Sequence, residues 1–112
     1  MNEIRFTTET IARLVFKKEE VLYEINDEIN NTEPDKLYLR LCELLDDGYI
    51  NDAENTLFDS ISNEDPAYLQ VAVDFYSRLN SLDDSTLEQG GFSRHEIESG
   101  IAEIETLFGL SL

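Results

Sequence analysis

Between Leu41 and Ile61 the apolar residues keep helical spacing, lose it across Asp46-Asp47-Gly48-Tyr49, and then resume it. Leu41, Leu44 and Leu45 fall at i, i+3 and i+4, and Ile50, Ala53, Leu57, Phe58 and Ile61 repeat the interval after the break. Apolar residues three and four apart share one face of an α-helix. Two such faces joined by a few turn residues predict a helical hairpin, the unit that helical-repeat scaffolds stack. Scaffolds of this kind act by contact more than by covalent chemistry.

The same spacing predicts helices along the rest of the chain. The fold class is all-α, with about five helices and no strand. A long N-terminal helix is expected from Thr8 to Asn30, with an apolar stripe of Ile11, Leu14, Val15, Val21, Leu22, Ile25 and Ile29. At 1.5 Å per residue it would be roughly 35 Å long. It either packs along its own domain or pairs with a second copy. Thr32 and Asp35 resemble a capping box for a helix from Pro34 to Asp47. Asn51, with Glu54 three residues on, is expected to cap the next helix, which ends near Ile61.

Asp65-Pro66 opens a fourth helix, to about Leu82, in which only Gln70, Asp74, Ser77 and Arg78 make a polar stripe. A helix apolar over most of its circumference belongs in the middle of a bundle. Residues 83–92 read as a long connection, with one helical turn at Ser85–Glu88 ended by Gly90-Gly91. Ser93 and Glu96 form a capping box for the last helix, whose stripe is Ile97, Ile101, Ile104, Leu107 and Phe108. Gly109 is its left-handed stop, with Leu110 folding back. The 112 residues make one domain: an N-terminal helix over 1–31 and a hairpin core over 32–110.

Charge narrows the partners. The chain carries 25 acidic and 8 basic side chains, a net charge of -17. Residues 41–112 hold sixteen of the acidic groups against two basic ones, Arg78 and Arg94. Such a surface repels phosphates, which excludes direct nucleic-acid binding and favours a basic protein partner. No run approaches the length of a membrane span, and no leader pattern is present, so a cytoplasmic setting is expected. Cys42 is the single cysteine and forms no disulfide within the chain.

No catalytic, cofactor-binding or metal-ligating set emerges. Cys42 lies mid-helix, far from the helix N-terminus that activates a thiolate, and reads as a packing residue. His95 is the only histidine and has no partner at ligand spacing. Asp83, Asp84 and Glu88 do not follow the alternation of a calcium loop. Contact residues are easier to name. Asp46 and Asp47 stand at a helix C-terminus, where a negative charge opposes the dipole, so they serve the turn, meet a basic partner or loosely hold a cation. Tyr38 and Tyr49 flank the hairpin and could line a contact surface. Arg13 and Lys17 share a face of the N-terminal helix, with Lys18 beside them, and could meet the acidic body of a second subunit.

The segment Leu41-x-x-Leu44-Leu45-x-x-Gly48-x-Ile50-x-x-Ala53-Glu54-x-x-Leu57-Phe58 resembles a tetratricopeptide-type hairpin, in which small residues such as Gly48 and Ala53 let the helices approach. Pro34 and Pro66, which open two such units, lie 32 residues apart. With Asp74-Phe75-Tyr76-x-x-Leu79-Asn80 and Phe92-Ser93-x-x-Glu96-Ile97-x-x-Gly100-Ile101, the chain resembles a family of small bacterial helical proteins of unassigned function. The resemblance implies a bacterial, cytoplasmic, all-α fold used for protein contacts, and carries over no catalytic residue. The expected function is a non-enzymatic interaction or adaptor module. The alternative is an acidic nucleic-acid mimic that blocks a DNA-binding protein.

Overall fold

A computed structural model describes residues 32–110, and the expected helix over Thr8–Asn30, with Arg13 and Lys17, lies outside them. The described residues are all-α: α1 (Glu33–Asp46), α2 (Ile50–Ser60), α3 (Pro66–Ser81), α4 (Asp84–Gln89) and α5 (Arg94–Leu107). No strand occurs among them.

The hairpin forms as its apolar spacing requires. Leu37, Leu41 and Leu44 bury one face of α1, and Ile50, Ala53 and Leu57 bury the facing side of α2. The turn closes with the Gly48 N–H donating to the Leu45 carbonyl and the Tyr49 N–H to that of Leu44. Gly48 sits at φ +84, the left-handed region that a Cβ disfavours. A side chain there would meet nothing within 4 Å, so Gly48 serves the turn and not a close helix approach. That corrects half of the small-residue expectation. Ala53, with no exposed surface, keeps the role expected of it.

α3 is central. It packs against both α1 and α5, and its buried residues include Leu69, Val71, Val73, Phe75, Tyr76 and Leu79. Its polar stripe is not a solvated one. Asp74 is only 1% exposed and Ser77 6%, while Arg78 reaches out from beside them. Asp65 caps the helix through the Ala67 N–H, and Pro66 takes the first helical position.

Two caps differ from expectation. α2 begins at Ile50, with Tyr49 at the N-cap and no side-chain bond to the first turn. Asn51 is instead already inside the helix, and its side-chain amide donates to the carbonyls of Gly90 and Gly91, each at 3.3 Å. The 83–92 connection holds a complete short helix, capped by Asp83 through the Thr86 N–H at 2.7 Å, not by Ser85. The other caps follow the sequence. Thr32 accepts from the Asp35 N–H, and the Ser93/Glu96 capping box is reciprocal. Gly109 adopts φ +65, and the Leu110 N–H returns to the Glu105 carbonyl at 2.8 Å.

Candidate functional site

Three helices end around one cleft of about 750 Å³. Leu45, Asp46 and Asp47 bring the C-terminal end of α1 to it, and Ser81 with Leu82 brings that of α3. Gln89 and Gly90 bring the end of α4. The apolar wall is Leu45, Ile50 and Leu82, and hydroxyls come from the exposed Ser81 and Thr86. The volume lies within the range of small-ligand and peptide-anchor sites.

The polar groups of the cleft are unequal. Asp46 and Asp47 are exposed at its mouth, and no cation of the described residues pairs with either. The Ser81 hydroxyl donates to the Ser77 carbonyl at 3.0 Å. The Ser77 hydroxyl is buried and makes no hydrogen bond. Arg78 lines the cleft but is already committed: its Nε donates to the buried Asp74 carboxylate, and its Nη2 donates to the Tyr38 hydroxyl at 2.8 Å. Burial alone would lower the Arg78 pKa, but the hydrogen bond and charge of Asp74 outweigh it and raise the pKa, so the guanidinium stays charged.

Tyr38 stands on the far side of that guanidinium, its ring centroid 5.7 Å from Arg78 Cζ. Burial, then a hydrogen bond with Cys42, pushes the Tyr38 phenol above its usual pKa. Cys42 is half-buried in this packed cluster, as a packing role requires. Of the contact residues that the sequence nominates, Asp46 and Asp47 line the cleft and Tyr38 joins it through Arg78. Tyr49 is exposed on the turn but is not part of the wall. His95 is exposed in the first turn of α5. Ser77, Thr86 and Gln89 reach the cleft by tertiary placement of α3 and α4, which no local spacing announces.

A second, smaller furrow of about 290 Å³ runs between α2 and α5, with Glu54, Glu96 and Glu103 on its walls. Glu54 accepts from the Tyr76 hydroxyl at 2.7 Å. Burial raises the Glu54 pKa, the Tyr76 hydrogen bond lowers it, and the charges of Glu96 and Glu103 raise it again. Burial and that same hydrogen bond hold the Tyr76 phenol protonated. Among the described residues no three His, Cys, Asp or Glu side chains are grouped to hold a metal ion. No described helix is long and apolar enough to cross a membrane.

The fold and this site define a small all-α domain with an acidic, apolar-walled cleft. The chain belongs to a family of unknown function (DUF6483), whose model matches residues 1–109. No curated protein and no solved structure matches it.

Proposed function

We propose that the chain is a non-enzymatic protein-interaction module, bacterial and cytoplasmic, that engages a basic protein partner through its acidic helical surface. One observation carries the reading. The four lysine and arginine side chains of the described residues each pair with a carboxylate of the same body: Lys36 with Glu33, Arg40 with Glu43, Arg78 with Asp74 and Arg94 with Asp84. Asp46 and Asp47 have no such counterion and stand exposed on a tight turn. Two carboxylates at a helix C-terminus oppose the dipole, so local stability does not select them. The α1–α2 hairpin, with its left-handed glycine, supports a tetratricopeptide-like scaffold, a type of unit that works by contact.

The test is capture from a lysate of the native host at low and at high salt, with the unmodified chain and with Asp46→Asn/Asp47→Asn. The expected result is a basic protein retained at low salt, released at high salt and lost from the variant. Identical capture by both chains sinks the reading. The second reading, a nucleic-acid mimic, draws on the same surplus of charge; under it the captured protein binds DNA, and duplex DNA displaces it. The N-terminal basic residues Arg13 and Lys17 give the module a route to self-association. Sedimentation across the same salts checks this, and a monomer throughout removes it.

A further inference from the structure

We infer that the cleft between the ends of α1, α3 and α4 is where the partner docks, and that its occupant is a basic amphipathic segment. Aliphatic side chains of that segment enter between Leu45, Ile50 and Leu82, and its lysines or arginines meet Asp46 and Asp47. The inference rests on the interaction-module reading above and names the partner's chemistry.

Three observations point the same way. The cleft is too large for a single anchoring side chain and fits a short segment with spaced apolar residues. Its mouth selects for positive charge twice over. Asp46 and Asp47 are exposed there, and the last turn of α1 carries no basic residue to answer its dipole. The carbonyl end of a helix attracts cations. The end of α3 adds less, because Arg94 already takes the Asn80 and Leu82 carbonyls. Arg78, the cation in the wall, is neutralised by Asp74 and cannot recruit an anion.

The probe is a synthetic 14-residue peptide of leucine and lysine with the leucines on one helical face. Its counterpart has every leucine replaced by glutamine. Each is titrated into the ¹⁵N-labelled full chain at physiological salt. The leucine peptide should shift amides at Leu45–Ile50, Ser77–Leu82 and Thr86–Gly90, and bind about tenfold more tightly than its counterpart, because only it buries apolar surface. Thr86→Trp, an exposed position that fills the cleft, should abolish that advantage while the circular dichroism is unchanged. Reversing the exposed pair Asp59 and Glu98, which line neither cavity, to lysine should leave the advantage intact.

Equal binding of the two peptides overturns the cleft assignment and leaves the acidic-surface reading standing. Failure of both to bind removes both readings. Shifts confined to the Glu54–Glu96–Glu103 furrow overturn the site. A peptide of residues 5–18 of this chain, with Arg5, Arg13, Lys17 and Lys18 against Glu9, is titrated alongside. Tighter binding by that peptide replaces an outside partner with a second copy of the chain.

Discussion

Tyr76 shows how one residue can tie two helices and set a neighbour's chemistry. Its ring packs where Gly100 leaves room, and a Cβ at position 100 would overlap its hydroxyl end. Its hydroxyl, held there, donates to Glu54 across to α2. Gly100→Ala must therefore push the ring aside, an overpacking cost of about 1–3 kcal/mol. Tyr76→Phe keeps the ring but leaves a half-buried carboxylate without its donor, at about 1–2 kcal/mol by urea denaturation. The pH dependence has a definite sign. Burial raises the Glu54 pKa in the folded chain, so the folded state holds that proton more tightly than the unfolded chain does. The stability linked to Glu54 is complete below the ordinary glutamate value and is lost as pH rises through the raised one. Tyr76→Phe removes the one lowering contribution, so Glu54 should titrate higher still. A carboxyl NMR titration checks both, and a Glu54 that titrates at its ordinary value would show that burial does not dominate.

At the scale of elements, what was legible in the sequence is what is local. The face Leu41-Leu44 and the face Ile97-Ile101-Ile104, the Asp65-Pro66 start and the Ser93/Glu96 box depend on residues within a turn or two of each other. The places where the reading failed depend on distant chain. Asn51 has the right composition for a cap, yet its amide is drawn to the carbonyls of Gly90 and Gly91, some forty residues on. Asp74 and Ser77 sit in a polar stripe by sequence and become buried because α3 is covered on several sides. The cleft was half legible. Asp46 and Asp47 stood out by opposing a helix dipole, whereas Ser77 and Thr86 carry no such local signal.

Arg94 is the strongest case of this kind. It opens α5, and its guanidinium donates to the Asn80 carbonyl at 2.8 Å, to the Leu82 carbonyl and to the Asp84 carboxylate at 3.1 Å. One side chain thus closes the end of α3 and braces the start of α4. Arg94→Ala should cost about 2–3 kcal/mol, since hydrogen bonds from a charged donor exceed neutral ones. Arg94→Lys should recover less than half, because an ammonium cannot span three acceptors as the planar fork does. Chemical denaturation of the two variants decides this, and equal stability of Lys and Arg at position 94 would reduce the contact to a point charge.

The whole molecule is shaped by a charge of -17 that its own cations do not answer. Self-repulsion of that size favours expansion, and salt screens it over a Debye length of about 10 Å at 0.1 M and about 3 Å at 1 M. The chain should therefore melt higher as sodium chloride rises from about 0.01 M to about 0.5 M, by about 4–8 °C for each kcal/mol of repulsion relieved. The Asp46→Asn/Asp47→Asn variant sharpens this expectation. Both carboxylates face the negative end of α1 and have no cation beside them, so neutralising them should stabilise the chain by about 0.3–1 kcal/mol each at low salt. The gain should shrink toward zero at high salt, because it is electrostatic and exposed. A stabilised variant that also loses its basic partner would show why the pair is kept: the turn gives up stability to present charge. A destabilised variant would mean instead that the two carboxylates hold the turn by contacts of their own, and the case for a docking surface at this end of the hairpin would fall with it.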